Sequence, residues 1–401
     1  MNFGVQTKLI VVINDGGRLS LKMDTVVQIF ALTTNEHYFY IFRKANSRFE
    51  EKWVKNQINL ANTPSGNIAH FLLMLVKNPR TLHNGLLRRI YRKKSNVLFE
   101  EGFLSILGQA LGEYFDKATI QNNLVRFLKK ENSRKIFLID ESVSARLVNL
   151  RILKNLGTII YVSQDVASDR YGLGENVLTK PLMYKLEYDA IKLADLVVAC
   201  SERDCIHYLE MGAKKAVFYP NIYPIEFEGY QKDEQPSISI VLKGHWGQRV
   251  EKSLQEIMSA ISLVNRQIRV YIIGIKPTQV PKNVILKHFE VIPERVEYLR
   301  LLSKSWIGIN MGVHRGGTNQ RKYDYALAGL FVLSDMLGAR GDLLPREGTY
   351  IDSYDLAAKL EQLLKLGKEQ IVEMGAENRK TVLSLAKEQR QVLMKAINKV
   401  L

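Results

Sequence analysis

The sequence predicts an α/β protein built from two doubly wound parallel sheets. Three observations lead there. Short apolar runs alternate with helix-length stretches along most of the 401 residues, which is the rhythm of strand–helix–strand units. Several of these runs open into glycine-containing or small polar loops, where doubly wound sheets place ligands. Finally, a polar stretch at 226–236 (EFEGYQKDEQP) is followed by a fresh apolar run at 237–242 (SISIVL), so the sheet restarts midway. A chain of this length is long enough for two domains.

Composition is that of a globular protein, 46% hydrophobic and 24% charged. Lys and Arg outnumber Asp and Glu 57 to 41, a formal net charge of +16. That excess calls for an anionic partner: a nucleotide, a nucleic acid or a membrane surface. The two cysteines, Cys200 and Cys205, make neither a disulfide framework nor a zinc pattern. The first residues lack a signal-peptide pattern, and no apolar run reaches the roughly 18 residues of a membrane span. A cytoplasmic protein with reduced thiols is expected.

In order, 8–13 (KLIVVI) reads as a buried strand ending in Asn14-Asp15-Gly16-Gly17, and 37–42 (HYFYIF) as an aromatic strand. The block 71–76 is apolar. It is followed by seven cations from Lys77 to Lys94 (Lys77, Arg80, Arg88, Arg89, Arg92, Lys93, Lys94) with no acid among them. Leu82, Leu86, Leu87, Ile90 and Tyr91 interleave at helical spacing. This is a solvated basic helix face, an interfacial helix on an anionic bilayer, or a nucleic-acid groove. Helical spacing continues over 101–126. Then 135–139 is a strand, 140–154 a helix, and 158–162 a strand running into Ser163-Gln164-Asp165. A helix closes at Ala194-Asp195, 196–199 is a strand, Ser201 caps the next helix, Gly212 ends it, and 216–219 is a strand.

In the second half, 237–242 runs into Lys243-Gly244-His245-Trp246-Gly247-Gln248-Arg249 and a helix from Val250. Strands follow at 269–273 and 285–291, then a helix at 294–303. The run at 306–309 opens into His314-Arg315-Gly316-Gly317-Thr318, then a helix over 319–327 and an apolar run at 330–333. Gly316 and Gly317 let backbone approach a bound group closely, and the free N–H groups of the next helix suit phosphate. Arg321 in the first turn opposes the helix dipole unless an anion lies there. Asp324 shares its face and can accept from a hydroxyl. The bland alternative is an ordinary turn whose Arg and Asp form an ion pair.

The segment GGTNQRKYDYALAG with LFVLSD resembles the donor-nucleotide segment of glycosyltransferase family 4 and its GT-B relatives. In that register Arg321 falls on the family's phosphate-binding Lys, Asp324 on the Glu that holds the ribose, and Gly329 on the closing Gly. Gly316 stands where the family has the first Glu of its Glu pair. The stretch 187–201 (EYDAIKLADLVVACS) is similar to the family's Glu…Ala-Asp…Ser segment, and Pro220-Asn221 to the Pro-Asn before the interdomain crossing. Gly244 and His245 fall on the family's Gly-Arg. Lys252 matches the diphosphate Lys after one insertion, and Arg249 can supply the guanidinium that His245 lacks. Asp165 matches the Asp of Thr-x-His-Asp, with Gln164 in place of the His. The stretch 347–355 resembles the segment before the last sheet helix.

The resemblance implies the GT-B fold: two Rossmann-like doubly wound domains facing across a cleft. It divides the chain into an acceptor-side domain 1–225, a linker 226–236, a nucleotide-sugar domain 237–375 and a helix 376–401 crossing back. The implied activity is a hexosyltransferase-type glycosyltransferase, retaining and metal-independent, moving a sugar from a nucleotide-sugar to an acceptor hydroxyl without a cofactor. Asp165, Lys252 and Arg321 are the candidate catalytic residues. Gly244, His245, Arg249, Lys252, Gly316, Gly317, Thr318, Arg321 and Asp324 would bind the donor, and Gly16, Gly17, Gln164 and Asp165 would line the acceptor side. The acceptor would be a glycan or a lipid-linked precursor, reached from the cytoplasmic membrane face through the basic run. Two rivals are a nucleotide-sugar epimerase of the same fold and a non-enzymatic nucleic-acid-binding protein; no specific nucleic acid is expected.

Overall fold

Apolar runs of alternating face build the sheets of the computed structural model, which describes residues 8–14, 23, 26, 37–43, 56–59, 128, 134–140, 145, 148–163, 166, 180–242, 248–312, 320–336 and 348–400. The chain divides into two units, Met1–Tyr219 with Val392–Leu401, and Pro220–Gln391.

Unit 1 carries β1 (Lys8–Asn14), β2 (His37–Arg43), β3 (Asn56–Asn59), β4 (Arg134–Asp140), α1 (Leu150–Leu156), β5 (Gly157–Val162), α2 (Lys180–Leu193), β6 (Leu196–Ala199), α3 (Glu202–Glu210) and β7 (Ala216–Phe218). The sheet order is β3-β2-β1-β4-β5-β6-β7, and the paired strands run parallel. Successive residues of a strand face opposite sides, and both sides are buried, as parallel sheets require. Val11, Ile13, Phe137 and Ile139 enter one core. Ile10, Val12, Ile136 and Leu138 enter the other, together with Leu393, Ala396 and Ile397 of the last helix. Ser201 caps α3, its Oγ accepting from Asp204 N at 3.0 Å, and Gly212 follows at φ +99°. Asp140, expected to open a helix, closes strand β4 instead: it is in register with Val162, and the apolar run carries the strand one residue further.

Unit 2 carries β8 (Ser237–Leu242), α4 (Gln248–Ser262), β9 (Ile268–Gly274), β10 (Val284–Phe289), α5 (Arg295–Ser303), β11 (Ile307–Asn310), α6 (Gln320–Leu327), β12 (Phe331–Asp335), β13 (Thr349–Tyr350), α7 (Ser353–Leu366) and α8 (Lys368–Asn398) up to Gln391, from which α8 continues as part of unit 1. The sheet order is β10-β9-β8-β11-β12-β13. Ile238, Ile240, Ile307 and Ile309 face α4 and α7. Val241, Tyr271, Ile273 and Val332 face α5, α6 and the part of α8 carrying Val382 and Ala386.

The stretch 226–236 is not a loose linker. Lys232 Nζ donates to the carbonyls of Ser305 (2.6 Å) and Gly329 (2.8 Å). Asp233 pairs with Arg269 at 3.0 Å, and its carbonyl accepts from Trp306 Nε1 at 2.8 Å. Its polar side chains meet groups at the starts of β9, β11 and β12, so the stretch belongs to unit 2, and the chain passes between units at Tyr219–Pro220. Among the described residues, no helix is long and apolar enough to cross a membrane.

Candidate functional site

In unit 2 the strand order turns at β8 and β11. From β8 the chain adds β9 and β10 on one side, then returns to add β11, β12 and β13 on the other. Where the order reverses, the following helices lie on opposite faces and leave a crevice at the carboxyl ends of the strands. Helix α4 follows β8 and helix α6 follows β11, so two helix N-termini border this crevice, with N–H groups and positive dipole ends available to an anion.

Arg321 and Asp324 lie on α6, but they do not form the mutual ion pair of the bland alternative. Arg321 is half-buried and does not stand out on the helix face. Its Nη1 donates to the Val241 carbonyl at 2.8 Å and its Nη2 to the Met311 carbonyl at 2.9 Å. Burial lowers its pKa from the ordinary value, partly offset by Tyr325 and Tyr298. Asp324 is buried, and its Oδ1 accepts from Arg295 Nη2 at 2.5 Å. Gln320 Nε2 lies 3.3 Å from the other oxygen. The ion pair is therefore with α5, not with Arg321. Arg295 also reaches the Tyr223 carbonyl at 3.2 Å. Burial works against the Arg295 charge, but the Asp324 carboxylate more than offsets it and raises the pKa.

Sequence reasoning did not single out several polar groups at the same strand ends. Tyr325 Oη accepts from Val241 N (2.7 Å) and donates to the Ile309 carbonyl (3.1 Å). Asn310 Nδ2 donates to Ser334 Oγ at 2.8 Å, and Tyr350 Oη donates to the Asn310 carbonyl at 3.2 Å. Burial pushes the Tyr350 hydroxyl well up. Asp335 Oδ1 accepts from Gly312 N at 2.9 Å. The one sequence signal for Tyr325 is its spacing, i+4 from Arg321, which puts both on one helix face. Lys252, on the second turn of α4, is exposed and lies 4.0 Å from Glu256, which leaves its ammonium accessible to an anion.

The sheet of unit 1 turns at β1 and β4. Asp140 is buried at the end of β4. Near the end of β5, Glu187 is buried and accepts from Tyr208 Oη (3.1 Å) and Tyr161 Oη (3.5 Å), while Tyr208 Oη lies 2.6 Å from Ser163 Oγ. Burial, then the Glu187 carboxylate, pushes the Tyr208 hydroxyl well up. This network anchors the strand end that leads into Gln164 and Asp165. Those two residues, Gly16, Gly17, Gly244, His245, Gly316, Gly317, Thr318 and the basic run from Lys77 to Lys94 lie outside the described residues, as does the side chain of Arg249.

No protein-family model and no curated protein matches the sequence. Solved structures do match. A trehalose-6-phosphate structure from E. coli bound with UDP-2-fluoro glucose superposes with a TM-score of 0.63 at 12% identity, over 98% of this chain and 100% of that one. Sucrose-phosphate synthase from Thermosynechococcus elongatus gives 0.63 at 11% identity, over 98% and 99%. HepE of Anabaena in complex with UDP-glucose gives 0.60 at 10% identity, over 98% and 99%. With two doubly wound parallel sheets and this likeness over nearly the whole length, the chain has the GT-B fold of the glycosyltransferases.

Proposed function

We propose that the protein is a glycosyltransferase that moves a hexose from a nucleoside-diphosphate sugar to an acceptor hydroxyl. The observation that carries this reading is the crevice of unit 2, where the N-termini of α4 and α6 border the strand-order reversal between β8 and β11. Departure of a nucleoside diphosphate leaves negative charge on the phosphate. Fixed N–H dipoles and cations in a crevice stabilise that charge as it develops. Lys252 and Arg249 on α4 would supply the cations. Gly244, His245, Gly316, Gly317 and Thr318 would bring backbone N–H groups close. Arg321 shapes the crevice floor through its two carbonyls. A ribose hydroxyl would meet Asp324 at the oxygen that Gln320 now faces, with Arg295 holding the other.

A uridine donor is the first choice, because two of the similar structures hold UDP-2-fluoro glucose and UDP-glucose. Retention of configuration follows the same line, since the glycosyl transfer of a trehalose-6-phosphate synthase with this fold proceeds with retention. The acceptor would lie on the unit 1 side, against Gly16, Gly17, Gln164 and Asp165. Asp165 would orient its hydroxyl while the departing phosphate takes the proton. No metal is required where cations neutralise the diphosphate.

The test is product formation. The protein is incubated with UDP-, GDP- or dTDP-hexoses and a panel of sugar phosphates, glycans and lipid-linked acceptors, and nucleoside diphosphate is measured. Acceptor-dependent release from one donor class is expected, lowered about tenfold or more in Lys252→Gln. No release from any donor with any acceptor would contradict the reading.

A further inference from the structure

Strands β8 and β11 stop pairing earlier than the sheet allows. Their parallel register runs Ile307↔Ile238, Gly308↔Ser239, Ile309↔Ile240 and ends there. On its other side β8 stays paired with β9 through Leu242↔Gly274. Continuing the β8–β11 register, the next rung would join Val241 N–H to the Ile309 carbonyl, and the rung after it would use the Val241 carbonyl. Both rungs are replaced by side chains of α6. The Tyr325 hydroxyl sits between the two groups of the first, accepting from Val241 N at 2.7 Å and donating to the Ile309 carbonyl at 3.1 Å. Arg321 takes the next pair of carbonyls, Val241 at 2.8 Å and Met311 at 2.9 Å. The tyrosine ring reaches this place only because residue 308 is glycine, where a Cβ would fall 2.4 Å from its Cγ.

Resting on the donor-site reading above, we propose that Tyr325 and Arg321 form a wedge that holds the ends of β8 and β11 apart and so fixes the spacing of the α4 and α6 N-termini for a diphosphate. Both are positioning residues, and Arg321 acts on the diphosphate through the strand ends and not as its ligand. The guanidinium fork suits this bridge, because its two terminal nitrogens reach the carbonyls of Val241 in β8 and of Met311 just past β11 from one rigid plane, where a lysine has a single nitrogen for both. A strand pair left to zip up would narrow the crevice, because adjacent strands in register lie about 4.8 Å apart.

Calorimetry with UDP and with uridine tests this on the full chain, comparing wild type with Tyr325→Phe, Arg321→Lys and the double variant. The acceptor of the Val241 amide, identified by NMR through-hydrogen-bond coupling, reports the wedge directly. Tyr325→Phe keeps the ring and its packing, and its lost hydroxyl is enclosed between two strands where no phosphate reaches. The wedge predicts that each single variant weakens UDP by about tenfold while uridine is held as before. It predicts further that the double variant is little worse than either single one, since they act as one unit. Wild-type UDP affinity in Tyr325→Phe, or in Arg321→Lys, overturns it. In the second case conserved charge suffices, and Arg321 is a phosphate ligand. If the wild type binds no UDP, the donor reading fails instead, and the amide decides the wedge alone. A through-hydrogen-bond coupling from the Val241 amide to the Ile309 carbonyl, absent in the wild type and present in Tyr325→Phe, supports it, and its absence from Tyr325→Phe overturns it.

Discussion

Lys232 lies in a stretch that reads as a polar linker, yet its Nζ bridges two carbonyls, those of Ser305 and Gly329. Burial, and then the charge of Arg379, pulls its pKa down to about 7. A neutral amine still has two N–H groups for two carbonyls, so losing the proton costs no hydrogen bond. In the unfolded chain the same lysine titrates near 10.4. Between these values the unfolded state binds more protons, so stability rises with pH. The contribution is complete above about pH 10 and lost as pH falls toward 7, at about 1.4 kcal/mol per pKa unit as an upper bound. Urea titrations of wild type and Lys232→Met from pH 6 to 10 should show the wild type gaining on the variant across that window. A constant difference would return the lysine to its ordinary pKa. At Asp324 the same scale of argument concerns a pair. Asp324→Asn leaves Arg295 partly buried without its counter-charge, which costs about 3 kcal/mol. Adding Arg295→Met should recover much of that loss in denaturant unfolding. If the two losses simply add, the ion pair is not what holds α5 to α6.

Helix α8 packs backbone to backbone against the turn between α6 and β12. A Cβ on Gly375 would lie 2.4 Å from the Gly329 carbonyl oxygen, and backbone cannot move aside as a side chain end can. Gly375→Ala, normally stabilising in a helix, should instead cost about 1–3 kcal/mol through overpacking. A melting temperature at or above that of the wild type would show that the helix can shift. At this scale much of the fold is legible in the sequence. Apolar runs such as KLIVVI, KIFLI, LVVA and SISIVL are strands because both sheet faces are buried. Strands β3 (NQIN) and β13 (TY) are not legible, since pairing and not apolar character makes them strands. The helix after the glycine loop is legible because its signals are local. The partners of Arg321, Asp324 and Tyr325 are not, because they join residues brought together only by sheet order. Val241 and Tyr325 stand 84 residues apart in the chain.

Over the whole molecule the net charge of +16 asks for anions of more than one kind. A diphosphate donor accounts for a few of the cations. If the run Arg88, Arg89, Arg92, Lys93 and Lys94 met an anionic lipid surface carrying the acceptor, each cation would contribute about 1 kcal/mol. Replacing all five by Gln should reduce sedimentation with phosphatidylglycerol vesicles, most at low salt, and leave nucleotide affinity untouched. Equal sedimentation of the two proteins would leave the run a solvated face and the acceptor free in solution. The nucleic-acid alternative makes a different demand, salt-dependent DNA binding without donor binding. The measurement that separates the accounts is the melting temperature of the full chain in rising concentrations of UDP-glucose, GDP-glucose, dTDP-glucose and duplex DNA. A ligand of the native state stabilises it by about 2.7 kcal/mol at a hundred times its Kd. A glycosyltransferase predicts a melting temperature that climbs with one nucleotide-sugar and with its free nucleoside diphosphate. No rise with any nucleotide-sugar, alongside a rise with DNA that salt abolishes, would contradict the account.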